Sequence, residues 1–451
     1  MRAMRAFGAM KRKTQRLIRR RTRIGICTAA FAATATAGMA SFTALWPAAR
    51  ISYAKGLSSG LNVEENLLKN PNCIRDVLLQ DESKVGAVTK IIEEGQIENN
   101  TLNNSNGYNI DGDPLWSARI LHTDANAIRD VHLAYLRAGA SVITCASYQA
   151  SISGLREHLS VSEKTAEGLI PRSVQIAKQA RKEYLLETTR QKEEEDNIQQ
   201  QQRQDESDHR QIWVAGSVGP YGACLHDGSE YTGSYIDSVS EDDLAKWHKK
   251  RIDLLVEAGA DLLAIETIPS KVEATAICKL LQREHQDIPV WVTFSCKDGA
   301  HTARGERIED AVAEVAKFSQ VIGIGVNCCN PAYVCSLLSR ARNTIAVRKN
   351  TSSTSKKNKK KETVIAILLL PPLHTRIASV RLLPVLVAYP NSGEDWDHET
   401  GWHGQSEAET KACTRRSVEW VSQGARLVGG CCRIGPKQIH GMSKVLTGNI
   451  R

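Results

Sequence analysis

The feature that most constrains the fold is an alternation of short apolar runs with longer amphipathic segments, which begins after residue 64 and continues to the C-terminus. Several short runs are apolar throughout and rich in β-branched residues, which is typical of strands buried on both faces of a parallel sheet. In the longer segments apolar residues recur at three- and four-residue spacing, which predicts helices that pack one face on that sheet. The predicted strands are residues 77–80, 141–147, 212–217, 261–266, 290–294, 321–327, 384–389 and 425–430. The predicted helices include residues 123–138, 241–258, 271–284, 308–316, 407–423 and 436–445.

Glycines mark the ends of three predicted helices. Gly139, Gly259 and Gly424 each stand between a predicted helix and the next strand, and each is followed by alanine. Glycine is the usual residue where a helix ends in the left-handed conformation. Eight strand–helix units in succession favour a (β/α)8 TIM barrel over an open α/β sheet.

The barrel is predicted to occupy residues 64–451 and to carry three surface insertions. They lie near residues 96–109, 188–210 and 343–375. The first is rich in Asn, the second in Gln and Glu, and the third contains a Lys-rich run without acids. Such compositions are typical of solvated surface segments.

The net charge of +9 belongs to the N-terminus. Residues 1–63 contain twelve Lys or Arg and no Asp or Glu, so the remaining 47 basic and 50 acidic residues give the rest of the chain about −3. A slightly acidic body does not attract polyanions, and we expect no nucleic-acid partner.

Residues 1–63 are predicted to form a targeting or anchor segment. An Arg-rich, acid-free start followed by an Ala- and Thr-rich stretch at residues 24–49 is typical of an organelle transit peptide, which predicts a mitochondrial or plastid protein. The stretch is long enough to span a bilayer, although Ala, Gly and Thr contribute little to transfer into lipid. The alternatives to an organelle location are a membrane-anchored protein and a cytoplasmic protein. Membrane contact is expected only through residues 1–63.

Polar and thiol side chains collect where predicted strands end. Thr144, Ser217, Glu266, residues 327–328 and residues 430–432 all hold such positions. In a TIM barrel the carboxyl ends of the strands form the face on which active sites are built. This placement favours an enzyme over a structural barrel.

Two pairs of adjacent cysteines, at residues 328–329 and 431–432, follow the sixth and eighth predicted strands. Neighbouring cysteines rarely form a disulfide with each other, because the small ring is strained. If the two pairs converge, three thiolates and one open position would make a catalytic zinc site, and residues 429–430, both glycine, would let the backbone turn tightly. The alternative is that these thiols are buried and inert.

The motifs around these cysteines resemble a known family. Residues 325–331 (GVNCCNP) and 429–436 (GGCCRIGP) are similar to the two zinc motifs of the homocysteine S-methyltransferases. Further similar stretches occur in the same order at residues 114–118, 144–151, 216–222, 230–233, 266–269 and 389–394. The resemblance covers roughly residues 75–447 and implies zinc-dependent methyl transfer to the thiol of homocysteine, which forms methionine.

The resemblance also implies roles for individual residues. The implied zinc ligands are Cys328, Cys431 and Cys432. Glu266 would hold the amino group of homocysteine, and Thr144 and Tyr148 would line the substrate pocket. Sequence alone leaves open an exchange of Cys328 for Cys329.

Asp81 is a further implied substrate residue, but its motif departs from the family. The family opens its first strand with Asp-Gly-Gly, whereas Glu82 and Ser83 follow Asp81 here. The backbone freedom of two glycines is therefore lost at this point.

The resemblance implies a methyl donor with a positive charge. A free homocysteine thiol has a pKa near 8.5, so zinc would be needed to hold it as a thiolate, and no protein side chain is expected to act as general base. Residues 230–233 (EYTG) resemble the branch that uses sulfonium donors, so S-methylmethionine is the first donor expected and S-adenosylmethionine the second. The alternatives are a betaine-type or selenocysteine methyltransferase, or a non-enzymatic barrel that senses zinc or redox state.

Overall fold

The computed structural model describes residues 86–89, 113–198, 211–357, 383–397, 401–404, 406 and 409–448. The N-terminal segment 1–63, the predicted first strand at residues 77–80, Asp81 and the insertion at residues 96–109 lie outside this part of the chain. Within it, no helix is long and apolar enough to cross a bilayer.

Parallel strands form the centre of the molecule. Their bounds are β1 (Gly86–Thr89), β2 (Val142–Thr144), β3 (Trp213–Val218), β4 (Leu262–Ile268), β5 (Val290–Phe294), β6 (Val321–Asn327), β7 (Val385–Tyr389) and β10 (Ala425–Gly430). Seven of them, β2 to β7 and β10, make one curled sheet in chain order. β1 pairs with both β10 and β2 and closes the sheet into a barrel. A short antiparallel pair, β8 (Asp395–Asp397) and β9 (Gly401–His403), follows β7.

Helices follow the strands and surround the barrel. They are α1 (Ser117–Thr123), α2 (Ala125–Arg137), α3 (Ile152–Leu159), α4 (Glu163–Ile198), α5 (Glu241–Glu257), α6 (Lys271–Glu284), α7 (Ile308–Val315), α8 (Val334–Lys357), α9 (Thr410–Ser422) and α10 (Pro436–Gly448). The parallel barrel with outer helices predicted from the sequence is confirmed. Residues 188–198 of the second predicted insertion belong to α4 and residues 343–357 of the third belong to α8, and the remainder of both insertions lies outside the described residues.

Side-chain caps explain where several helices begin. The Ser151, Ser240 and Ser270 hydroxyls accept hydrogen bonds from backbone N–H groups in the first turns of α3, α5 and α6. Each such cap stabilises a helix by about 1 kcal/mol. At the other end, the predicted glycines Gly139 and Gly259 have φ angles of 103° and 75°, which confirms that they end helices in the left-handed conformation.

The alternation of side chains along each strand decides which residues can reach a site. Leu262, Ala264 and Glu266 share one face of β4, and the two apolar residues pack in a buried cluster that includes the strand residues Trp291 and Val387. A second, larger cluster lies between the sheet and the helices. The inward-facing residues nearest the carboxyl end of each strand therefore form the top layer of the barrel interior.

Strand bounds agree closely with the sequence prediction. β5, β6 and β10 begin and end where predicted, and β3, β4 and β7 differ by at most two residues at one or both ends. β2 ends at Thr144, three residues before the end of the predicted strand 141–147. The difference is largest at the start of the barrel, where the strand that fills the first position is Gly86–Thr89.

Candidate metal and amino acid site

Three cysteine sulfurs converge at the carboxyl end of the barrel. Cys328 follows β6, Cys431 and Cys432 follow β10, and their Sγ atoms all lie within 4.8 Å of one another. The Cys328 Sγ lies 3.2 Å from the Cys432 Sγ, which in turn lies 3.7 Å from the Cys431 Sγ. All three residues are buried. β6 and β10 are both hydrogen-bonded to β7, which brings the two cysteine segments to the same point of the rim.

The donor set of this cluster fits a metal ion. Burial raises the pKa of the Cys432 thiol well above its ordinary value, and the hydrogen bonds to Cys328 and Cys431 raise it further. Three thiolates this close together repel one another unless a cation lies between them. Soft sulfur ligands at this spacing suit a thiophilic metal. Among the described residues, these three cysteines form a group that could hold a metal ion.

The backbone at Cys328 is held in an unusual conformation by its neighbour. Cys328 has a φ of 48° and Thr267, which follows Glu266 in β4, has a φ of 59°. Non-glycine residues seldom adopt positive φ, and for a β-branched residue such as Thr267 it is an outlier. The Asn327 side chain accepts a hydrogen bond from the Thr267 backbone N–H (2.7 Å) and donates one to the Thr267 hydroxyl (2.8 Å). One amide thus joins the strand that carries Glu266 to the strand that carries the first thiol.

The glycines before the second cysteine pair act through space rather than through backbone freedom. Neither Gly429 nor Gly430 has a positive φ, so neither is required by a left-handed backbone conformation. A Cβ atom at Gly430 would lie 2.0 Å from the Cγ2 atom of Ile434. Only a residue without a side chain lets the chain fold back over β10 after the cysteines.

Glu266 lies buried near the end of β4, on the inward face of the barrel. The Ser217 hydroxyl, from the end of β3, donates a short hydrogen bond to one carboxylate oxygen. The Tyr389 hydroxyl, from the last residue of β7, lies 3.0 Å from the other. Hydroxyl groups from two strands therefore fix the orientation of this carboxylate.

Tyr389 is a site residue that the sequence prediction did not single out. Its oxygen accepts a hydrogen bond from the Trp291 indole N–H (3.0 Å) and lies 2.9 Å from the Thr293 hydroxyl, so its own proton points to Glu266. The signal available in the sequence was its place at the end of a predicted strand, inside a stretch similar to the family. An apolar strand ending in tyrosine is equally typical of a barrel core.

A second tyrosine reaches the thiols from a loop. The Tyr231 hydroxyl lies 3.3 Å from the Cys328 Sγ, within hydrogen-bonding distance for sulfur. Burial raises the pKa of this phenol well above its ordinary value, and the charges of Cys328 and Cys432 raise it further. The sequence placed Tyr231 in a family-like stretch without assigning it a role.

The remaining predicted residues fall in different places. Thr144 ends β2 and Tyr148 follows it, both buried at the carboxyl face of the barrel. The ring of Tyr148 packs against Gly219, where a Cβ would lie 2.5 Å from it. Cys329 is buried but is not one of the three clustered thiols, and Asp81 lies outside the described residues.

Comparison with known proteins identifies the family of the chain. A model of the family described as homocysteine S-methyltransferase matches residues 94–446. The chain belongs to the homocysteine S-methyltransferase family. The matched range contains both cysteine segments and Glu266, and it begins after Asp81.

Individual members of the family cover most of the chain. Homocysteine S-methyltransferase 3 of Arabidopsis thaliana is 38% identical over 337 residues, which are 74% of this chain and 84% of that protein. Betaine-homocysteine S-methyltransferase of Drosophila melanogaster is 35% identical over 347 residues, or 75% and 89% of the two chains. The homocysteine methyltransferase MmuM of Escherichia coli, in its metallated form, aligns with a TM-score of 0.59 at 29% identity and covers 83% of this chain and 99% of its own. Membership in an enzyme family confirms the predicted methyltransferase over the non-enzymatic barrel.

Proposed function

We propose that this homocysteine S-methyltransferase forms methionine by moving a methyl group from S-methylmethionine to homocysteine, at a zinc ion held by Cys328, Cys431 and Cys432. The observation that carries the proposal is the convergence of three buried sulfurs from two strands to within 4.8 Å. A catalytic zinc site has three protein ligands and keeps its fourth position for water or substrate.

The substrate thiol has to lose its proton before it attacks carbon. A bound zinc supplies that chemistry, because ligation lowers the pKa of a thiol far enough to hold it as a thiolate at neutral pH. The chain's own side chains then have only to place the two substrates. Because zinc would hold the thiol as a thiolate, the reaction needs no histidine as general base, which is also what we predict from the sequence.

We assign Glu266 to bind the ammonium group of homocysteine. Its carboxylate is completely buried, and the Ser217 and Tyr389 hydroxyls orient it without supplying positive charge. In a site shielded from water, the attraction between this carboxylate and an ammonium group is much stronger than in solvent. Thr144 and Tyr148, at the same face of the barrel, are assigned to line the pocket.

The donor must carry its methyl group on a positively charged atom. The new bond joins that carbon to the homocysteine sulfur, the bond to the donor sulfonium breaks, and the donor leaves as a neutral thioether. With S-methylmethionine the leaving molecule is a second methionine, and the thiol proton is released to solvent. Positioning the two sulfurs in line with the methyl carbon is the main contribution of the protein.

The choice of donor rests on residues 230–233 (EYTG), which resemble the sulfonium branch and place Tyr231 beside the thiols. S-adenosylmethionine is the second sulfonium donor. Betaine, which carries its methyl groups on nitrogen, is the other candidate because the Drosophila melanogaster relative is named for it. Selenocysteine remains the alternative acceptor.

A donor panel with the full-length chain tests the proposal. We expect methionine to form from homocysteine with S-methylmethionine faster than with S-adenosylmethionine or betaine, and one zinc ion to be present per chain. Selenocysteine in place of homocysteine tests the acceptor. A zinc-loaded protein that forms no methionine with any donor would contradict the proposal.

The matched cysteine variants test the metal. Cys431→Ser should lose its zinc and at least about 100-fold in activity, since even residues that only support metal ligands contribute 10- to 100-fold. Cys329→Ser changes a buried cysteine outside the cluster and should keep its zinc. Wild-type activity in zinc-depleted Cys431→Ser protein would refute a role for the metal.

A further inference from the structure

The segment between β3 and α5 carries a tyrosine to the thiol cluster. We propose that the Tyr231 hydroxyl positions the Cys328 sulfur as a metal ligand, and that a buried network centred on Glu273 holds this segment in place. The inference rests on the proposed function in that it concerns the same metal site, and it assigns positioning residues beyond the ligands themselves.

The contact to sulfur is specific in its geometry. Tyr231 ends a short 3-10 turn, Ser229–Tyr231, and its ring packs against the buried cluster that contains all three thiols. Its hydroxyl lies 3.3 Å from the Cys328 Sγ. A phenol that donates to a thiolate ligand restricts where the sulfur lies and removes part of its charge repulsion with the other sulfurs. Partners of this kind orient metal ligands in many proteins.

Both ends of the segment are bound by one carboxylate. Glu273, on α6, accepts a hydrogen bond from the backbone N–H of Tyr221 (2.7 Å) and a short one from the hydroxyl of Tyr235. Ser295 adds a third attachment through its hydrogen bond to the carbonyl of Glu230 (2.9 Å). The turn that carries Tyr231 is thus attached on both sides, and its hydroxyl has little freedom relative to Cys328.

The carboxylate is itself held by two buried residues of α5. Arg251 donates to the Nδ1 atom of His248 (2.9 Å), so His248 carries its proton on Nε2 and donates it to Glu273 (2.8 Å). Burial lowers the pKa of His248 to about 4, which keeps this imidazole neutral. Arg251 also donates to the carbonyls of Gly219 (2.6 Å) and Tyr148 (3.1 Å). The network therefore joins the loops after β2 and β3 to the helix layer.

The position of these charges argues for more than fold stability. Glu273 and His248 are completely buried and Arg251 is 3% exposed, so the network costs desolvation energy. Among the described residues, the backbone and hydroxyl groups that the Glu273 and Arg251 side chains bind outside α5 lie in the two loops at the carboxyl face. A network placed there orders the surroundings of the site.

The first test is the removal of one oxygen atom. Tyr231→Phe keeps the ring and its packing, and should weaken zinc binding about 10- to 100-fold in competition with a chromogenic chelator. Tyr333→Phe is the matched control, because Tyr333 is half-buried, lies five residues after Cys328, and has no hydroxyl hydrogen bond among the described residues. Cobalt bound in place of zinc should show an altered thiolate charge-transfer band in Tyr231→Phe alone.

The second test asks whether Glu273 acts through Tyr231. Glu273→Gln should also weaken zinc binding, and the double variant should bind zinc no more weakly than Tyr231→Phe, because residues that act through one contact are not additive. Asp261→Asn breaks a buried ion pair just before β4, at the other end of the barrel, and controls for lost stability. If Glu273→Gln does not fold, Tyr235→Phe is used in its place, because this variant removes one of the hydrogen bonds to Glu273.

The outcomes separate the two proposals. Zinc affinity of Tyr231→Phe within twofold of the wild type would overturn the role of Tyr231, and additive losses in the double variant would overturn the coupling to Glu273. Zinc bound without methionine formation would overturn the proposed function alone. A wild-type chain that binds neither zinc nor cobalt would overturn both.

Discussion

Two buried carboxylates near the two ends of β4 have different partners. Asp261, just before the strand, forms an ion pair with the Arg181 guanidinium (2.6 Å) and accepts a hydrogen bond from the Val214 N–H (2.7 Å). Glu266, near its other end, is bound by the hydroxyls of Ser217 and Tyr389. The first carboxylate joins α4 to the sheet at the amino end of the barrel, while the second faces the interior at the carboxyl end.

The difference shows that the two ends of β4 have different roles, one in stability and the other in the proposed function. A guanidinium neutralises Asp261 within the fold, and the pair then needs no further ligand. Hydroxyl groups carry no net charge, so those of Ser217 and Tyr389 orient the Glu266 carboxylate without neutralising it. The same residue class therefore supports the fold at one end of β4 and, in our proposal, binds homocysteine at the other.

The largest effect expected from this comparison is on stability. Asp261→Asn leaves the Arg181 charge buried without its partner and should lower the free energy of unfolding by about 3–5 kcal/mol. The KM for homocysteine of the remaining folded protein should stay within twofold of the wild type. Urea unfolding and initial-rate kinetics on the same preparation measure both, and a raised KM with unchanged stability would reverse the assignment.

An intermediate effect is expected on substrate binding. Glu266→Gln should lower kcat/KM for homocysteine about 10- to 100-fold, equivalent to roughly 1.5–3 kcal/mol for a lost charge-assisted hydrogen bond. Zinc content should not change, because the carboxylate is not among the clustered ligands. Equal kcat/KM for Glu266→Gln and the wild type would rule out the ammonium contact.

The smallest effect concerns a buried group that belongs to neither end of β4. His132, on α2, is completely buried, and neither ring nitrogen has a hydrogen-bond partner in the described part of the chain. Burial lowers its pKa to about 3, whereas in the unfolded chain the pKa is about 6.5. The unfolded state therefore binds a proton that the folded state does not, and stability falls as the pH drops below about 6.5.

Replacement of this histidine removes that pH dependence. Between pH 7.5 and 5.5 the wild type should lose about 1.4 kcal/mol more stability than His132→Leu, in which the side chain has similar volume and no ionisable group. Urea midpoints at the two pH values measure the difference. Parallel losses in both proteins would show that His132 takes up its proton without unfolding.

The regular part of the fold was predictable because its signals are local. β5, β6 and β10 are apolar runs bounded by proline, glycine or polar residues, and their limits follow from that pattern alone. The glycines at residues 139 and 259 mark helix ends because only glycine adopts positive φ without steric cost. The β8–β9 pair was not predicted, since three-residue strands are too short to show an alternation.

The site was predictable only in part. The sequence indicates the cysteines and Glu266 because thiols and acids at strand ends are unusual in an apolar pattern. Tyr389 and Tyr231 were not assigned, because their roles depend on contacts to residues 123 and 97 positions away in the chain. Nothing in the local sequence distinguishes such tyrosines from core residues.

The sequence by itself determined that this chain forms a parallel barrel with thiols and a carboxylate at one rim, because strand periodicity and chain direction bring all strand ends to the same face. The tertiary structure decided which of the adjacent cysteines faces the others. Cys328 leaves β6 with a positive φ held beside Asn327 and Thr267, which directs its sulfur, and not that of Cys329, into the cluster. That choice depends on hydrogen bonds between strands that are neighbours only in the folded chain.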